Sequence, residues 1–201
     1  MTKFFLALLL LLTATVSAYA AADPAVEAME TLRRGFAGTN DFTADITQEK
    51  QLALMKKKMV SKGVVRFKKP DTFFMELLPP HPSRLLLKDN VMTMRLPEQA
   101  VTEKVVLPPE EGLKKWFAFL GKPITTLPEG VAIKAERRGK LWNVQIFPKS
   151  KGAVRQLTLT FDAEGKISRI VIDEHNKDQT ILSFKNVRRN IGLQERDLKA
   201  E

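Results

Sequence analysis

Residues able to make or break bonds are sparse in this chain and do not gather. Its two histidines stand far apart, His81 between prolines in Pro80-His81-Pro82 and His175 directly after Asp173-Glu174. There is no cysteine, and two distant imidazoles without thiolates do not make a zinc site. Asp173, Glu174 and His175 could meet a metal only by the accident of a strand end. No G-x-S-x-G elbow, H-E-x-x-H pair or glycine-rich phosphate loop is present. The carboxylates are dispersed among basic residues and spacing singles out no pair. The expectation is a protein that is not an enzyme and holds no metal and no cofactor. What remains is non-covalent chemistry. The basic run Lys56-Lys57-Lys58 can meet anionic headgroups or an acidic partner, or it can be a solvated loop. Apolar side chains at alternate positions can fill a core or shield a hydrocarbon chain from water.

The chain must place those groups in the right compartment. Lys3 precedes an apolar run at 4–12, and small residues follow, ending in Ala18-Tyr19-Ala20. That is the layout of a secretory signal peptide, with cleavage expected near Ala20 or Ala22. The run is too short to span a bilayer. Residues 1–22 are therefore expected to leave, and 23–201 to form one domain of about 180 residues, enough for a real core. The expected location is the periplasm. The formal net charge is +10, which in a cytosolic protein would suggest nucleic acid. In an exported one it suggests anionic phospholipid, lipopolysaccharide or an acidic partner face instead.

The elements come next. Asp23 can cap a helix with Pro24 in its first position, and Val26, Met29, Leu32 and Phe36 share one face before Gly38. The period then changes to two. Phe42, Ala44 and Ile46 alternate with polar residues, and Val65 and Phe67 alternate with Val64, Arg66 and Lys68. Phe73, Met75 and Leu77 oppose Phe74, Glu76 and Leu78; Met92 and Met94 follow a turn at Asp89-Asn90. These patterns predict half-buried antiparallel strands with one wet face. Pro108-Pro109 and Gly112 precede a short helical stretch at 113–120, rich in aromatic residues. Strands resume at 131–137, 141–147, 155–161, 166–174 and 180–184. With 101–107 included, the count is about eleven strands and two helices. A long meander with one dry face must close into a barrel or curve into a half-barrel covered by helices. In either case Phe42, Ile46, Phe67, Phe73, Met75, Met92, Met94, Trp142, Val144 and Ile146 point inward, and Trp116 and Phe117 ride on the covering piece.

Two motifs carry a family resemblance. Phe42-Thr43-Ala44-Asp45-Ile46-Thr47-Gln48 and Gly63-Val64-Val65-Arg66-Phe67-Lys68-Lys69-Pro70 resemble the signature of LolA, the lipoprotein carrier family. The stretch from Phe73 through Pro79-Pro80 to Met94 resembles that family's strand-rich core. The resemblance implies a mainly β (α+β) fold: an unclosed antiparallel β-barrel of about eleven strands with a helical lid. It implies a periplasmic, monomeric carrier whose cavity shields the acyl chains of a lipoprotein or glycolipid. An inner-membrane exporter, ABC-type or other, would load it; an outer-membrane acceptor would unload it, with transient contact at the membrane surface. It also implies that Phe73 lies in the working face, and that Lys69, standing where the family has arginine, is a lid latch.

This chain departs from the family pattern in ways that point to a specialised cargo. Lysine lacks the planar fork of arginine. The hairpin Asp-Gly becomes Asp89-Asn90, where Asn is expected to take the positive φ. Met75, Met92 and Met94 replace aromatic residues, and methionine adapts to chains of variable shape. One C16 chain removed from water gains on the order of 10 kcal/mol at about 0.8 kcal/mol per methylene, so a carrier needs a pocket that is good but incomplete, under a movable cover. Two other classes stay open: an envelope adaptor or lipid-sensing module on the same fold, and, more distantly, a lipid-modifying enzyme.

Overall fold

The computed structural model describes residues 23–107, 113–149 and 152–199. The expected leader at 1–22, the Pro108-Pro109 and Gly112 bracket, and two residues of the Ser150-Lys151-Gly152 turn lie outside them.

Helix α1 (Pro24–Phe36) begins as its sequence dictates. The Asp23 carboxylate accepts the Ala25 N–H at 2.9 Å, and Pro24 occupies the first turn, where its missing N–H costs nothing. Ala25, Ala28, Met29, Leu32 and Gly35 are buried. Eleven strands follow: β1 (Asp41–Leu52), β2 (Lys57–Lys68), β3 (Thr72–Leu77), β4 (Ser83–Lys88), β5 (Val91–Leu96), β6 (Val101–Val106), β7 (Val131–Arg138), β8 (Leu141–Pro148), β9 (Val154–Asp162), β10 (Ile167–Glu174) and β11 (Gln179–Arg189). Helix α2 (Leu113–Leu120) lies between β6 and β7 in the chain.

The strands form one sheet in the order β6-β5-β4-β3-β2-β1-β11-β10-β9-β8-β7. Every described ladder is antiparallel, and β1 joins the two meanders by pairing with both β2 and β11. Among the described residues β6 and β7 do not pair, so the sheet is an unclosed barrel. Registers carry one apolar row across the concave face: Phe42 opposite Phe67, Phe67 opposite Phe73, Phe73 opposite Leu87, Leu87 opposite Met92. Side chains alternate across a strand, so these positions share a face. At Gly63 the turn of the sheet brings β3 so close that a Cβ would stand 2.0 Å from the Glu76 carbonyl oxygen. Only glycine fits there.

Three local expectations are corrected. Lys57 and Lys58 belong to β2, not to a loop, and Lys58 forms an ion pair with Glu49 across the ladder. The outward face of β3 is not wet: Phe74 is buried, together with Leu193 and Leu198 and against Leu86. The cover is the C-terminal segment, whose 3-10 turn Glu195–Leu198 had no apolar period long enough to announce it. It is held by the buried Asp41 carboxylate, which accepts the N–H groups of Ile191, Gly192 and Leu193 at 2.8, 3.1 and 3.3 Å. Finally, in the Asp89-Asn90 turn it is Asp89 that takes the positive φ, 54°, while the Asn90 amide donates to the Leu107 carbonyl at 2.9 Å.

Candidate functional site

Helix α2 is amphipathic in composition, and it packs its aromatic side chains into the concave face. Phe117 stacks on Phe67 with centroids 4.4 Å apart and an interplanar angle of 20°. Phe42 lies 5.4 Å from Phe67, and Phe36, at the end of α1, lies 6.2 Å from Phe42 and 6.5 Å from Phe117. Both helices and the first two strands therefore meet in one aromatic cluster, offset and edge-on as ring quadrupoles prefer. On the other side of α2, Trp116 and Phe119 stand edge to face at 6.4 Å and pack against the cluster built from α1 and β7–β9.

The inward residues divide into two groups. Trp142, Val144 and Ile146 lie in the core under α1 with Met29, Leu32 and Phe161; Val144 is wholly buried. Ile46 and Phe67 are buried beside the seam between the two meanders. Phe42, Phe73, Met75, Met92 and Met94 are half-buried. With Leu85 and Leu87 of β4, also half-buried, they give β3–β5 a concave apolar surface that the core does not fill.

A cavity of about 790 Å³ lies beneath α2 at one rim of the barrel. Trp116, Phe119, Val131, Ile146, Leu157 and Ile172 line it, with Lys115, Lys149 and Glu129 among its polar wall groups. Its size and apolar lining are those of a small-molecule site. The same rim carries the β1–β2 hairpin tip. There Leu54 is 94% and Met55 65% exposed, followed by Lys56 and Lys57, both exposed. The tip is tied to the neighbouring β10–β11 turn: Ala53 N–H donates to the Asp178 carboxylate at 2.9 Å. His175 N–H in that turn donates to the carbonyl of Ala153, a cavity residue, at 3.0 Å.

Charge holds the cover on both sides. Arg33 donates twice to the Glu30 carboxylate at 2.7 Å, and the N–H of Ile124, in the segment after α2, donates to it at 2.9 Å. The Arg33 hydrogen bonds chiefly hold the Glu30 pKa down to about 2; burial opposes them and the Ile124 N–H adds to them. On the far side, Lys114 of α2 lies 3.9 Å from Asp89. Burial first, and then the hydrogen bond with Asp89, push the Asp71 carboxyl up.

The profile described as Outer membrane lipoprotein carrier protein LolA matches residues 37–199. The chain belongs to the LolA family. Among solved structures, a DUF1329 family protein from Desulfovibrio piger matches with a TM-score of 0.51 at 10% identity, covering 88% of this chain and 98% of the other. A LolA superfamily protein from Nitrosomonas europaea matches at 0.49 and 10% identity, covering 89% and 98%. A putative outer membrane lipoprotein-sorting protein domain from Vibrio parahaemolyticus matches at 0.45 and 10% identity, covering 87% and 95%. The comparison with curated proteins gives no match.

Within this LolA fold, Lys69 reaches the first covering helix. Its ammonium donates to the carbonyl of Phe36, the last residue of α1, at 3.4 Å. Arg189 reaches the same helix end, where it donates to the Gly35 carbonyl and holds its guanidinium 5.8 Å from the Phe36 ring centre. Sequence reasoning missed Arg189, because a basic residue at a strand end carries no mark of a tertiary partner. It missed Glu30 for the same reason. His81 and His175 are both exposed, and among the described residues no three metal-ligating side chains cluster. No described helix is long and apolar enough to cross a membrane.

Proposed function

We propose that this LolA-family chain is a periplasmic carrier that shields the acyl chains of a lipoprotein or glycolipid and passes them from the inner to the outer membrane. The observation that carries the reading is the 790 Å³ apolar cavity beneath α2. Phe73, Met75, Met92 and Met94 extend the apolar surface available to a chain. Lys69 and Arg189 steady α1, and α2 is the movable cover, resting on the sheet and α1 through apolar side chains and one long ion pair. The hairpin tip brings an exposed Leu-Met pair and lysines to the rim where the cavity lies, which suits brief contact with an anionic membrane. The partners in this reading are an inner-membrane exporter, an outer-membrane acceptor and the cargo, with the carrier a monomer. Membership of a family of binding proteins supports a non-enzymatic role.

Native mass spectrometry of the protein purified from periplasm tests it. A co-purifying lipoprotein or glycolipid supports the carrier; a clean apo mass, where a control carrier keeps its cargo, rejects it. Phe117→Ala removes the stack on Phe67 and should speed uptake of a fluorescent fatty acid several-fold in stopped flow. An unchanged rate would show that α2 does not gate the cavity. The adaptor reading draws on a separate observation: Trp142, Val144 and Ile146 are already packed under α1, so part of the concave face is filled by the chain itself.

A further inference from the structure

An unclosed sheet leaves two edge strands, and β6 is an unusual one: all six of its residues are exposed. Its pairing with β5 decides which backbone groups are free. Leu107 N–H donates to the Asn90 carbonyl at 2.8 Å, just beyond the ladder in which Val106 opposes Val91. Hydrogen-bonded and non-hydrogen-bonded pairs alternate in an antiparallel ladder. Val105, Glu103 and Val101 therefore bond to β5, while Thr102, Lys104 and Val106 turn their N–H and C=O groups to the open edge. Among the described residues nothing pairs with that edge. Long exposed edges are normally blunted, because they template pairing with another strand.

The side chains narrow what could pair there. Val101, Glu103 and Val105 share the concave face of the strand; Val101 is 36% and Val105 44% exposed. The convex face differs. Thr102 and Lys104 border a groove of about 450 Å³ that also takes in Lys88, Arg95 and Lys199. Its one carboxylate, Glu195, is the ion-pair partner of Lys88 at 3.4 Å. A second copy of this chain fits poorly. Two-fold antiparallel pairing that engages most of β6 centres either on Lys104, putting lysine opposite lysine, or on Glu103, putting glutamate opposite glutamate; registers centred on Thr102 or Val105 pair only three residues of the strand. Like charges directly opposite destabilise a ladder.

We propose that the β6 edge is a docking site for an extended segment of an acidic protein partner, added as a twelfth strand. Backbone bonds to Thr102, Lys104 and Val106 supply the affinity, and side chains supply the choice. The added strand carries an acidic residue opposite Lys104, facing the basic groove, and apolar residues opposite Val101 and Val105. A partner of this kind is distinct from cargo in the cavity, so the proposal does not depend on the carrier reading.

The probe is a blocked peptide, Val-Val-Glu-Lys-Thr-Val, whose antiparallel alignment puts glutamate opposite Lys104 and lysine opposite Glu103. The control, Val-Val-Lys-Glu-Thr-Val, has the same composition with the two charges exchanged. Titrated into the isotope-labelled full mature chain, the first peptide should slow amide exchange at Thr102, Lys104 and Val106 at least tenfold and bind about tenfold more tightly than the control. Lys104→Glu should reverse that preference. Thr102→Pro should abolish binding while leaving the fold intact, since the lost N–H is not used by β5. Equal binding of the two peptides would overturn the proposal. So would binding that survives Thr102→Pro, shifts confined to Phe73 and Met92, or a dimer of the chain that Thr102→Pro dissolves.

Discussion

Glu30 concentrates three hydrogen bonds on one carboxylate, and its partners lie on both covering pieces: Arg33 in α1 and the Ile124 N–H after α2. A carboxylate with a lowered folded-state pKa stabilises the fold above its unfolded value and loses that contribution as pH falls through the folded one. The reference value is 4.5 and the folded value about 2. The tie should therefore be whole at neutral pH and weaken between these limits on acidification. Thermal melts of Glu30→Gln should lie below those of the parent at pH 7, and the gap should shrink as pH falls from 4.5 toward 2. A gap independent of pH would show that Glu30 acts by packing alone. The residue was unreadable in sequence because its partner in the loop is a backbone N–H, which every residue but proline offers. The inward aromatic residues were readable, since each is fixed by the parity of its own strand.

Elements meet here through surfaces as well as through side chains. Helix α1 presses its backbone onto the β9–β10 turn: a Cβ on Gly35 would lie 2.5 Å from the Glu164 carbonyl oxygen and 2.6 Å from Gly165 Cα. Gly165 itself sits at φ +71°, a conformation that favours glycine. Gly35→Ala should cost about 1–3 kcal/mol, the usual penalty for overpacking, read from urea unfolding. A neutral result would mean that α1 can lift from the turn freely. The eleven strands and both helices were legible because period-two and helical spacings are long and regular in this chain. Phe74 was misread for a definite reason. Alternation states which face a residue takes, but not whether that face is covered. Its cover comes from Leu193 and Leu198, more than a hundred residues away in a segment without periodicity.

For the molecule as a whole, the first and last strands in sequence, β1 and β11, pair at the middle of the sheet, and the cavity and hairpin tip share a rim. If that rim meets membranes, Leu54→Ser with Met55→Ser should weaken binding to phosphatidylglycerol vesicles about tenfold, in keeping with the loss of two large apolar side chains. Melting temperature should not move, because both side chains are exposed. Flotation assays read the first effect and calorimetry the second, and unchanged flotation would remove the tip from any membrane role. The seam has another consequence. Strand β1 is made early and finds β2 within a hairpin, but its other neighbour, β11, is not synthesised until about 140 residues later. Until then the N-terminal meander carries a long unpaired edge, and contacts of such sequence separation form slowly. The nascent chain thus passes through a stage in which half a sheet waits for its last strand, and any factor that guards this protein on the way to its native state should recognise β1.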